Sequence, residues 1–190
     1  LTPTITLAAG SITAMSSTDG TESTNQCFTF TGANLTGSSV TVTVPSGFEV
    51  ATSSGGIYAN SQTFTVTSGS ASGTVCVRLA NNTPAGTYSG NVSLTDGTTS
   101  ATRAIPSSTV NPKPLTISGL FVVDKVYDGL TTATLSGTGT LNGVVFADDV
   151  TISGTPTSNF VDKNVGTGKA ITITGYTLGG TKAANDSVSQ

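Results

Sequence analysis

Thr41-Val42-Thr43-Val44, Phe64-Thr65-Val66-Thr67 and Ile171-Thr172-Ile173-Thr174 decide the fold class. In each, every second residue falls on one face, and a period of two is the period of a β-strand. A β-branched threonine on the wet face suits a pleated, half-buried surface. The same alternation surrounds both cysteines, in Gln26-Cys27-Phe28-Thr29-Phe30 and Val75-Cys76-Val77-Arg78-Leu79. The Ser/Thr/Gly-rich composition, with 23 glycines, would also suit a flexible linker. Regular alternation argues against that reading. With 35% apolar and 9% charged residues there is enough for two modest cores and little surplus. The expectation is a folded, soluble, all-β chain.

Charge excludes more than it suggests. Seven basic residues spread along a chain of net charge −3 make no phosphate-tracking patch, and no aromatics interleave with them. No nucleic-acid partner is expected. No apolar run approaches the roughly 20 residues of a membrane helix, so no membrane insertion by this segment is expected. The chain opens directly on Leu1-Thr2-Pro3-Thr4-Ile5 without an export signal. That is expected of an internal or processed segment whose signal and anchor lie elsewhere.

Val110-Asn111-Pro112-Lys113-Pro114 is the clearest joint. Alternate prolines remove ladder donors and stiffen the backbone in an extended form. Charge usage changes here, since Lys125, Lys163, Lys169, Lys182 and six of the eight aspartates follow it. The expected organisation is a first module over residues 1–110, a linker at 111–114 and a second β module over 115–190. In the first, strands are expected near Ile5–Leu7, Cys27–Thr31, Val40–Val44, Phe48–Ala51, Thr63–Thr67, Thr74–Leu79, Tyr88–Leu94 and Thr99–Ala104. Turn signals such as Pro45-Ser46-Gly47 and Asp96-Gly97 separate them, which favours a β-sandwich. In the second, strands are expected near Leu115–Ser118, Val122–Val126, Ala133–Ser136, Val150–Ser153, Lys169–Thr174 and Tyr176–Leu178.

Lys125-Val126-Tyr127-Asp128-Gly129, the Thr/Ala/Gly-rich run Leu130 to Gly139, Asp148-Asp149-Val150 and Asp162-Lys163-Asn164-Val165-Gly166 form a second kind of signal. Together they resemble one YDG-type repeat, a small β module strung along large bacterial surface and adhesin proteins. The resemblance covers about residues 115–190. Such repeats tend to finish with an Asn-Tyr-Ser/Thr-Leu strand, where this chain has Asn185-Asp186-Ser187-Val188. Phe28 to Leu35, Val44 to Val50, Val77-Arg78-Leu79 and Ala85 to Gly90 are similar to immunoglobulin-like repeats of secreted multidomain proteins of Bacteroidetes-type bacteria. These are strand-and-turn patterns with no chemical motif.

The resemblances imply a fold of two tandem immunoglobulin-like β-sandwich modules joined by a short Pro-containing linker. They further imply a structural stalk or spacer segment of a large extracellular bacterial adhesin, holding a distal region away from the cell surface. The partners implied are neighbouring repeat modules of the same chain, with surface glycans or polymers as a further class. The alternative function is a carbohydrate-binding module, or an accessory domain of a secreted enzyme.

Each candidate chemistry has a plainer reading beside it. Cys27 and Cys76, with no His or third Cys to complete a zinc set, favour a disulfide pinning two strands across the sandwich core. Closing a loop of about 50 residues would stabilise by about 4 kcal/mol. Two buried thiols that never meet are the other reading. No enzymatic activity is expected, because no His is present to act as a base and no motif places a serine at a strained elbow. Glu22 and Glu49 would have to meet to form a glycosidase-type pair, and are expected as separate surface carboxylates. Tyr127 is either a platform for a sugar beside Asp128 or, as favoured here, a ring buried at a strand end with Asp128-Gly129 making the turn. Asp148-Asp149, joined by Asp124, Asp128 or Asp162, would suit calcium by ligand type but match no calcium-loop spacing. No metal and no cofactor are therefore expected, and the sequence singles out no ligand-binding residue. A Lys–Asn isopeptide bond would need Lys125 or Lys169 beside a distant Asn.

Overall fold

The computed structural model describes residues 1–189 of the 190-residue chain. It is all-β, with several sheets and one short 3-10 turn, and divides into two compact units, the first ending at Asn111 and the second beginning at Pro112.

The first unit holds β1 (Thr4–Leu7), β2 (Ser16–Thr18), β3 (Gln26–Ala33), β4 (Ser39–Thr43), β5 (Phe48–Ala51), β6 (Ser61–Thr65), β7 (Ala71–Leu79), β8 (Gly86–Thr95) and β9 (Ser100–Asn111). They form a four-stranded sheet, β1-β3-β7-β5, and a five-stranded sheet, β2-β9-β8-β4-β6. The alternation read from the sequence decides which residues face inward. Phe28, Phe30, Val75 and Val77 from one sheet and Val40, Val42, Val92 and Leu94 from the other enter a single core. Phe30 is 1% exposed and meets the Phe64 ring edge-on at 4.9 Å between centroids. Phe64 fits because Gly73 lies opposite Phe30, where a Cβ would stand 2.2 Å from the Phe64 ring. At the β8–β9 hairpin, Asp96 Oδ1 accepts the Thr98 and Thr99 amides at 2.9 Å, and Gly97 takes φ +94°.

Cys27 and Cys76 are disulfide-bonded. The bond corrects the expectation of a staple across the core. Cys27 stands directly opposite Cys76 on neighbouring strands β3 and β7 of the same sheet. Alternation explains the difference: Phe28 and Phe30 point inward, so Cys27 points outward and is exposed. The disulfide therefore ties one sheet to itself.

The second unit holds β10 (Lys113–Val123), β11 (Thr134–Asn142), β12 (Thr151–Phe160), β13 (Ile171–Gly179), a 3-10 turn at Ala183–Asn185 and β14 (Asp186–Val188). β10 pairs antiparallel with β11 and parallel with β14, and β12 pairs with β13 as a separate ribbon. Where two strands are expected on either side of Gly119, the structure has one continuous strand with a bulge between Ser118 and Leu120. β12–β13 carries a similar bulge between Gly154 and Thr157. Gly154 has φ +93°, and a Cβ there would stand 2.2 Å from the Gly175 carbonyl oxygen. Among the described residues, only Leu115 and Ala133 of this unit are buried apolar side chains. The thin core matches a sequence in which glycine and threonine replace larger side chains on β11 and β12.

Of the stretch expected as a linker, Asn111 is the last rung of β9, opposite Thr18, while Lys113 and Pro114 are the first rungs of β10, opposite Asp186 and Ser187. Pro112 alone stands between the two strands.

Candidate functional site

The signature residues converge on one cleft of the second unit. β10 ends at Val123, and the chain enters a loop over residues 124–130. Asp128 Oδ1 accepts the Leu130 amide at 2.9 Å and Gly129 takes φ +79°, so Asp128-Gly129 makes the turn expected of it. Lys125 Nζ crosses the loop to Asp128 Oδ2 at 2.9 Å and to the Thr132 carbonyl at 2.8 Å. A second loop follows β12. Its base is closed by the Val161 amide donating to the Ala170 carbonyl at 3.1 Å. Inside it, Asp162 Oδ1 accepts the Asn164 amide at 2.7 Å and pairs with Lys169, whose ammonium also reaches the Asn164 carbonyl.

The two loops wall an open cavity of about 590 Å³ floored by Val122, Phe160 and Ile171. Tyr127 lines it with 61% of its surface exposed. The expectation of a ring buried at a strand end is thereby corrected. β10 stops before the motif, so Tyr127 lies on a loop that its neighbours hold through polar bonds, not through the ring. Val126 at 89% and Val165 at 84% are exposed on the same two loops. Three aspartates (Asp124, Asp128, Asp162) and three lysines (Lys125, Lys163, Lys169) line the cavity, so its formal charges cancel.

The carboxyl of Asp128 is held below the usual carboxylate range by its bond from Lys125 and then by the Leu130 amide. That of Asp162 is held down in the same way, by Lys169 and then the Asn164 amide. Both are ionised acceptors at neutral pH, and both lysines are clamped in place. The spacing Lys125-x-x-Asp128 was not read as a pair from the sequence, though both residues lie in the motif. The second, Asp162 with Lys169, needed the closed loop to become visible.

The remaining candidates fall elsewhere. Asp148 and Asp149 do not join Asp124, Asp128 or Asp162. The Asn185 amide donates to Asp148 Oδ2 at 3.1 Å, and Thr181 donates through its amide and hydroxyl to Asp149 Oδ2, each at 3.0 Å. Among the described residues, no three His, Cys, Asp or Glu side chains gather as a metal cage. Asp186, noted in the sequence only as part of the departure at the closing strand, is 8% exposed with neither carboxylate oxygen hydrogen-bonded. Burial, and then the charge of Asp148, push its carboxyl up, with Lys113 opposing. Lys125 and Lys169 spend their ammonium groups on Asp128 and Asp162, so no Lys–Asn side-chain pair forms at either.

In the first unit, Glu22 and Glu49 do converge, contrary to expectation, but on a shared cation. Arg78 reaches Glu49 at 2.7 Å and Glu22 at 3.4 Å, and its guanidinium lies 3.9 Å from the centroid of Tyr58. Arg78 stands between the two carboxylates as their shared ion-pair partner. Tyr58 and Tyr176 are half-buried, which leaves Tyr127 the most open of the three tyrosines weighed as platforms. A groove of about 570 Å³ bounded by Pro45, Asn60, Asn82 and Tyr88 has no charged lining residue.

Residues 111–190 match the family model of the YDG domain. No curated protein matches the chain.

Proposed function

We propose that this chain is a segment of a long extracellular bacterial surface protein and that both units are structural modules, setting a distal adhesive region away from the cell. The first unit is read as an immunoglobulin-like β-sandwich and the second as the YDG repeat. The observation that carries this reading is the joint: β9 runs to Asn111 and β10 begins at Lys113, with Pro112 alone between them. A one-residue connection is far shorter than a flexible Gly/Ser tether. The Cys27–Cys76 bond supports an oxidising compartment. Its position also suits load bearing, because it withholds the chain between the cysteines, which are 49 positions apart, from extension. The partners in this reading are neighbouring modules of the same chain.

Small-angle scattering on head-to-tail concatemers of one, two and three copies tests the reading. A spacer predicts a maximum dimension that grows in proportion to copy number. Growth with the square root of copy number, as for a flexible tether, overturns it.

A further inference from the structure

We propose that the cleft between the Asp124–Leu130 and Val161–Ala170 loops of the second unit is a binding site for a neutral glycan, with Tyr127 as its stacking platform. This is independent of the spacer reading, since a spacer module can carry a site. Three observations bear on the class of ligand.

The first is Tyr127 itself. Its ring is 61% exposed in a cavity of about 590 Å³, and no hydrogen bond ties its hydroxyl among the described residues. The loop is held by Lys125, Asp128 and the Leu130 amide and does not use the ring. An open ring with an apolar face and a polar tip, set in a concavity, matches the C–H face and hydroxyl edge of a sugar.

The second is preorganisation. Asp128 and Asp162 are fixed by backbone amides and by lysines, and a carboxylate oxygen has lone pairs left for a hydroxyl donor. Charge-assisted bonds of this kind are the stronger ones, and holding the acceptors in place lowers the entropy lost on binding.

The third is charge balance. Asp124, Asp128 and Asp162 cancel Lys125, Lys163 and Lys169 around the mouth. The one lysine outside those pairs among the described lining residues, Lys163, is offset by Asp124, so a sulfated, phosphorylated or uronic-acid polymer would gain a net cation only by drawing Lys125 or Lys169 off its aspartate partner. A neutral polyol leaves both pairs intact. The lining thus selects against polyanions and favours uncharged hydroxyl-rich chains.

Affinity electrophoresis of the full 190-residue chain through gels containing dextran, mannan, xylan, mixed-linkage β-glucan or dextran sulfate tests the proposal. The expected result is retardation by at least one neutral polymer, persisting at high salt. Tyr127→Phe keeps the retardation, and Tyr127→Ala weakens it about tenfold, as loss of one stacked ring would. Circular dichroism melting checks that both variants stay folded, which the exposure of Tyr127 makes expected. Retardation by none of the neutral polymers, retardation by dextran sulfate alone that salt abolishes, or full retardation in folded Tyr127→Ala each overturns the proposal.

Discussion

The two units solve the same problem, an all-β fold from a Thr- and Gly-rich chain, with different means. The first collects its inward residues from both sheets into one core that ends at Val110, and adds a disulfide. Among the described residues the second buries only Leu115 and Ala133 of its apolar side chains, and it relies on ladder hydrogen bonds and on glycines that let strands bulge. Unit two leaves apolar residues at the surface, with Tyr127, Leu130 and Val165 around the cleft and Val126 exposed beside them. Burial is the main favourable term in folding, so the first unit is expected to be the more stable. A small core need not be a defect in a module whose exposed loops carry a site.

The contrast can be broken most directly in the first core. Phe30→Ala removes a buried ring and leaves a cavity beside Phe64, and should destabilise the first unit by about 3–5 kcal/mol in urea titration. The second unit's transition should not move. Cys27→Ala with Cys76→Ala should lower the same unit by about 3–4 kcal/mol, again without touching the second. No change in either unit on removing the disulfide would contradict a stabilising role for it.

In the second unit, Gly154→Ala would force a side chain into positive φ and against the Gly175 carbonyl. A cost of about 2–3 kcal/mol is expected, a large share of the stability of a unit with so small a core. An unchanged melting point would show that the β12–β13 ribbon contributes little to cooperativity.

Asp186 offers a smaller change of opposite sign. Its carboxyl is raised by burial and by Asp148, so the folded state binds its proton more tightly than the unfolded chain. The favourable contribution is present below the ordinary carboxylate range and is lost as pH rises through the raised value. Asp128 and Asp162 are lowered, so theirs is present above that range and lost as pH falls. Asp186→Asn should therefore raise the second unit's melting temperature at pH 7 and leave it near the parent's at pH 3. Equal shifts at both pH values would trace the gain to packing, with no charge term. Tyr127→Ala should move stability by no more than about 0.5 kcal/mol, as for an exposed site.

How much of this was legible in the sequence differs between the units as well. Where apolar and Thr/Ser residues alternate, as around Phe30, Val42 and Val77, the strands and their inward faces follow from period two alone. β2 is Ser16-Ser17-Thr18, with no apolar residue to mark it, and exists because it pairs in parallel with the end of β9. Gly119 and Gly175 read as strand breaks, yet positive φ at each lets a single strand continue through a bulge. In the cleft, Tyr127, Asp128 and Asp162 were visible as a motif, and Asp128 as a turn residue. The openness of Tyr127 was not visible, because it depends on β10 ending at Val123 and on the second loop closing through Lys169. The cysteines were legible as a pair, while their register within one sheet was set by the β3–β7 ladder.

The claim that two separately folding units of unequal strength make up this chain is tested most directly by calorimetry of the intact protein with and without a thiol reductant. Two transitions are expected, the upper one lowered by reduction and the lower one, from the YDG unit, unmoved. One cooperative transition that shifts as a whole on reduction would contradict the account.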